Sequence, residues 1–246
     1  MLVVLGALRS SPGVTTSTLA IASCLEGAAV VEADWDGGVL GARLGLPLDP
    51  GLTSLAAASR IGSEVDLAGH GHHLADGTLV VPGPTSPDSA IVVWTSMGRQ
   101  LAEVLVRSSA QGPVLVDAGR LSPLSPVRPL IEKAARLVVV ARPRVEELSV
   151  LSTRIGDLRS ATDDRVSVLL VGERIYRTTE VEAELGVPVI GYLADDRRAA
   201  DAISGHGRAV SSRVLRRSPL AQSARAAADE VLHWATASTR VEVARS

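Results

Sequence analysis

Short runs of Val, Leu, Ile and Ala, among them "LVVLGA" (2–7) and "LVVVA" (137–141), recur along the chain and alternate with stretches of helical character. A strand with one wet face would alternate apolar with polar residues, so nearly continuous apolar runs mark strands covered on both faces. Strands of this kind spaced by helices predict a doubly wound α/β fold, a mostly parallel sheet flanked by helices. Strands are expected near Leu2–Ala7, Ala28–Ala33, Thr78–Pro82, Pro113–Asp117, Leu137–Ala141, Val166–Val171 and Val187–Leu193. Helices are expected over Thr15–Leu25, Asp88–Ser108, Val145–Arg159, Thr179–Leu185, Asp196–Ile203 and Leu220–Trp234. The segments "GHGHHLADG" (69–77) and "RLSPLSPVRP" (120–129) read as loops. With no repeat or long linker, residues 1–237 form one domain, and 238–246 are expected as a polar, frayed tail.

Composition agrees with such a sheet. The chain of 246 residues has no Phe and only 2% aromatics, so its core is built from aliphatic side chains. A net charge of −2 imposes no global demand for nucleic acid or a charged membrane. The single cysteine, Cys24, excludes an internal disulfide and fits a reducing, cytoplasmic setting; in an apolar helix it reads as a small core residue. Lys133 is the only lysine.

The first strand runs into "LRSSPGVTTSTLA" (8–20), a loop of small residues that opens a helix at Thr15-Thr16. A phosphate-binding loop works because successive backbone N–H groups and a helix N-terminus face the anion, with lysine adding charge and Ser or Thr ligating Mg²⁺. Gly13 allows close approach, and Thr15 and Thr16 stand where the hydroxyls belong. Pro12 has no N–H to offer, Ser10 and Ser11 replace the usual glycines, Val14 occupies the lysine position, and Arg9 is the only cation.

Taken together these segments resemble the MinD/ParA family of deviant Walker-A ATPases, whose loop reads Lys-Gly-Gly-x-Gly-Lys-Thr-Thr against Arg9-Ser10-Ser11-Pro12-Gly13-Val14-Thr15-Thr16 here. The resemblance continues through "VVEADWDGGVLGARLGL" (30–46), with Glu32 and Asp34 on the two acids of the second motif. It includes "GPVLVDAG" (112–119), which resembles a Walker-B strand bearing Asp117, then "RLVVVARPRVEELSVL" (136–151) and "LGVPVIGYLADDRRAADAISGHGRAV" (185–210). It covers roughly residues 1 to 235 in order.

The resemblance implies ATP and Mg²⁺ as ligands. Arg9, Ser10, Ser11, Gly13, Val14, Thr15 and Thr16 would form the nucleotide loop, Thr15 and Asp117 the magnesium site, and Asp34 would position the attacking water or sense the γ-phosphate. In that family the first loop lysine acts across a dimer, so Arg9 implies a homodimer, or a protein partner, through the nucleotide-crevice face. Losing one charged hydrogen-bond partner costs about 1.5–3 kcal/mol, about ten- to hundredfold in affinity. ATP is therefore expected to bind weakly or not at all, with little hydrolysis. The expected function is that of a positioning or assembly factor in cell division, chromosome partitioning or pilus and secretion machinery. An active ATP-hydrolysing switch and a non-specific DNA-binding partition protein are the alternatives.

Other features are assigned to structure. His70, His72 and His73 sit in a loop with no Cys or further His nearby and read as solvated. Arg208, Arg213, Arg216 and Arg217 could meet phosphates, but Asp195, Asp196 and Asp201 offset them and no aromatics interleave; DNA binding is disfavoured. Trp35, within "ADWDGG", is expected exposed or at an interface, and Trp94 and Trp234 pack helices. The terminus "STRVEVARS" carries too little apolar area for a membrane-binding helix.

Overall fold

Strand β1 (Leu2–Ala7) is buried along its whole length and lies between β5 (Val114–Arg120) and β6 (Arg136–Ala141), parallel to both. The computed structural model describes residues 1–9, 12–61, 65–205 and 215–243, with backbone only beyond Trp234. On one flank of this centre β2 (Ala29–Glu32) pairs with β5 and β4 (Leu79–Val81) with β2, both parallel, and β3 (His72–His73) closes the edge antiparallel to β4. On the other flank stand β7 (Val166–Val171) and β8 (Val189–Leu193), also parallel. The sheet order is β3-β4-β2-β5-β1-β6-β7-β8.

Alternation along each strand divides the core into two layers. Val4, Val31, Val116, Val139 and Leu170 face one side, against α3 (Leu52–Ser59), α4 (Pro87–Ser108), α5 (Arg128–Lys133), α6 (Val145–Ala161) and α7 (Thr178–Leu185). Val3, Leu5, Val30, Leu115, Val138 and Leu169 face the other, against α1 (Val14–Ala22), α2 (Leu40–Leu44), α8 (Arg197–Ile203) and α9 (Pro219–Val243). Helices therefore cover both faces, as purely apolar strands require.

The strands expected from sequence all form, and the differences lie in short elements and boundaries. Helix α2 spans five residues and α3 eight, too short for a periodic signal; Leu52, Leu55 and Ala56 still form an inward i, i+3, i+4 stripe. Strand β3 pairs two residues inside the expected histidine loop. Helix α5 starts within the Pro-rich segment, with Pro129 in the first turn, where a missing N–H removes no helical bond. Helix α9 runs to Val243, so helical backbone continues into the residues expected as a frayed tail. Strand β5 runs past Asp117 to Arg120, which places that carboxylate inside the strand instead of at its tip. Among the described residues no helix is long and apolar enough to cross a membrane.

Candidate functional site

The loop between β1 and α1 ends at Gly13, whose φ of 96° and ψ of 37° are left-handed and suit glycine. Its carbonyl accepts from the Ser17 N–H at 2.8 Å, and a Cβ placed on it would meet nothing within 4 Å among the described residues. Val14 is only 7% exposed, packed into the aliphatic layer with Val3, Leu5 and Leu19. Val14 thus turns into the core. Arg9 is exposed, and Ser10 and Ser11 lie outside the described residues. Thr16 Oγ1 is 2.9 Å from Ser204 Oγ, tying α1 to the end of α8.

Three carboxylates gather where β2 and β5 run side by side. Glu32 and Asp117 are register partners on adjacent strands, each 1% exposed. Glu32 Oε1 accepts from the N–H groups of Val39 and Leu40, and Oε2 from Gly83 at 2.9 Å. It is a staple that ties the loop after β2 to the end of β4, and burial still raises its pKa. Asp117 Oδ1 accepts from Gly119 N–H at 3.0 Å. Its pKa is raised to about 6, chiefly by burial and further by Glu32, against the opposing hydrogen bonds from Thr15 and Gly119. Asp34 accepts from Asp36 N–H at 2.9 Å and is also raised to about 6, by burial and then by Asp117 and Asp36.

Gly119 makes this gathering possible. Its φ is +56°, and a Cβ there would sit 2.1 Å from Asp34 Cγ. Trp35 is half-buried against the core and its Nε1 donates to the Arg120 carbonyl at 2.9 Å. It therefore secures the loop of Asp34 to β5 and leaves part of its ring on the surface.

On the other side of the β1–α1 loop a cleft of about 470 Å³ opens over the ends of β6, β7 and β8. Pro12, Gly13, Thr16 and Ser17 form one wall, Arg142, Pro143 and Arg144 a second, and Glu173, Ile175, Asp195 and Asp196 a third. The volume suits a small organic ligand. The buried Glu147 accepts from Arg142 N–H at 2.8 Å and so fixes the turn between β6 and α6.

The structure thus brings Thr15, Asp34 and Asp117 together, places Gly13 and Thr16 on the cleft, and turns Val14 into the core. Sequence reasoning gave no role to Arg142, Arg144 or Glu147. The available signal was their place directly after an all-apolar strand, where ligands of open α/β sheets bind. The loop histidines serve local structure: His70 Nδ1 meets Ser54 Oγ, and His72 Nε2 meets the Pro50 carbonyl. Arg216 and Arg217 are exposed, whereas Arg208 and Arg213 lie outside the described residues.

No protein-family model matches the chain, and no curated protein sequence matches it. Solved structures do. The cell division ATPase MinD of Pyrococcus furiosus superposes with a TM-score of 0.71 at 18% identity, covering 94% of this chain and 98% of that one. The septum site-determining protein MinD of Pyrococcus horikoshii OT3, complexed with Mg-ADP, gives 0.69 at 16% identity, covering 94% and 95%. A ParA family ATPase of Chlorobium tepidum TLS gives 0.66 at 16%, covering 92% and 98%. The eight-stranded, helix-flanked sheet is the fold of MinD/ParA P-loop ATPases.

Proposed function

We propose that this chain, built on the fold of MinD and ParA ATPases, is a degenerate member of that group. It holds ATP weakly or not at all, hydrolyses it little, and works as a positioning or assembly factor in cell division, partitioning or pilus and secretion machinery. Val14 carries this reading. A phosphate loop needs a cation at this place, and here a valine 7% exposed is committed to the aliphatic core. Pro12, without an N–H, weakens the backbone cradle further.

The remaining groups fit the ligands the fold implies. Gly13 puts no side chain at the helix start, where a phosphate would sit, and Asp117 with Thr15 offers the hard oxygen donors that Mg²⁺ prefers. Among the described residues no three His, Cys, Asp or Glu side chains could hold a metal by themselves, so the ion would complete its shell with water and phosphate. When bound, Mg²⁺ would neutralise phosphate charge. Asp34, near enough to Asp117 to feel its charge, would orient a water. This retained carboxylate pair favours a second reading, an ATP-hydrolysing switch that works without the lysine.

Association through the crevice face follows from its surface. Val39, Leu124, Val145 and Ile175, which follow β2, β5, β6 and β7, are all exposed, as is Arg9, which follows β1. A second copy or a protein partner would cover them.

The test is Val14→Lys. If the cradle is otherwise intact, calorimetry should show Mg-ATP affinity rising by roughly tenfold or more. No gain, in a variant that still melts cooperatively, would mean the lysine position does not limit binding.

A further inference from the structure

The cleft has cations, but not where a phosphate loop keeps them. Arg142 and Arg144 flank Pro143 and line the same cleft as Gly13 and Thr16. Arg142 is half-buried, Arg144 is exposed, and neither enters any of the ion pairs found among the described residues. Glu147 holds the Arg142 backbone, so this guanidinium projects from a fixed point. The third wall is of opposite character: Glu173 and Asp195 offer carboxylate acceptors, and Asp196 keeps one oxygen on the Ala199 N–H at 3.0 Å as a helix cap.

We propose that Arg142 and Arg144 supply, from the turn between β6 and α6, the positive charge that position 14 lacks, so that the cleft takes a nucleoside diphosphate by its phosphates. The inference rests on the reading above that Val14 leaves the loop without its cation. Guanidinium forks match phosphate oxygens in bidentate fashion, and the helix start at Gly13 lines the same cleft. The acidic wall then meets the donor-rich end of the ligand, its sugar hydroxyls and base amine. A ligand gripped from this side does not need the carboxylates around Asp117, which lie across the β1–α1 loop. Its binding is therefore independent of Mg²⁺, unlike that of a nucleotide whose charge is met by a loop lysine and a magnesium ion together.

Calorimetry with ADP, with inorganic pyrophosphate and with Mg-ATP tests this on the full chain, each in EDTA and in excess Mg²⁺ where applicable. The expected result is ADP binding that changes less than about threefold with Mg²⁺ and falls ten- to hundredfold in the Arg142→Ala/Arg144→Ala double variant. Arg142→Lys/Arg144→Lys keeps the charge but loses the bidentate fork, so its affinity should fall between wild type and the alanine double variant, and pyrophosphate should bind more weakly than ADP but show the same dependence on the arginines. If the double variant loses its melting transition, the exposed Arg144→Glu serves alone, with a loss of at least about tenfold expected from reversing one charge. The proposal is overturned if wild type does not bind ADP at millimolar concentration, if the arginine variants bind as wild type does, or if binding requires Mg²⁺. Submicromolar Mg-ATP binding that survives in the double variant would overturn the degenerate-loop reading as well. Weak binding indifferent to the arginines would overturn this inference alone.

Discussion

Replacing Asp117 by Asn removes one of the two fully buried charges of the carboxylate cluster while keeping an oxygen to accept from Gly119 N–H. In the folded chain this carboxyl has a pKa raised from 3.8 to about 6. The folded state therefore holds its proton more tightly than the unfolded state does. Stability is greatest below about pH 4, falls as pH rises through the window from about 4 to about 6, and is flat above it. At about 1.4 kcal/mol per unit the rise corresponds to a loss of about 3 kcal/mol across that window. Glu32 and Asp34 titrate in the same field, so the observed step is shared among the cluster. Denaturant melts of metal-free protein in EDTA, every half unit from pH 4.5 to 7.5, read this directly. Wild type should lose about 2–3 kcal/mol, and Asp117→Asn should lose clearly less and exceed wild type in stability at pH 7. Equal slopes for the two proteins, or a wild type that gains stability as pH rises, would refute the argument that burial and neighbouring carboxylates destabilise the ionised cluster.

Gly119→Ala should destabilise by about 2 kcal/mol or more, read by thermal melts, because its φ of +56° and the Asp34 carboxyl 2.1 Å from the new Cβ both oppose a side chain; a neutral effect would show that Asp34 does not rest there. Glu32→Gln leaves one oxygen to accept but turns an amide donor toward backbone N–H groups, so a cost of about 1–3 kcal/mol is expected. Hydrogen exchange at Val39, Leu40 and Gly83 should speed up in that variant, and unchanged protection would argue against the staple.

The sheet was legible in the sequence because strands such as Leu137–Ala141 are apolar on both faces and because β-branched residues fill them. Elements decided by tertiary contact were not. Helix α2 has only Leu40 and Gly41 buried, and β3 exists because His72 and His73 lie against Val80 and Leu79. At the candidate site, spacing and resemblance single out Gly13, Thr15, Asp34 and Asp117. The inward turn of Val14 was not legible, since an aliphatic residue at a helix start carries no sign of which side it faces. Glu32 reads as a motif acid, yet its three backbone partners lie as far apart as Val39 and Gly83 and meet it only in the folded chain. Arg142 and Arg144 look like ordinary charges in a chain rich in arginine until the fold sets them on one cleft with Gly13.

The central claim is that a loop with Val14 in place of its lysine does not grip a triphosphate. Titration of Mg-ATP into the purified full chain by calorimetry, with phosphate release followed on the same sample, measures this most directly. The account requires a dissociation constant of tens of micromolar or weaker, about ten- to hundredfold above what a charged loop would give, and phosphate release near background. Submicromolar binding with steady turnover would contradict it.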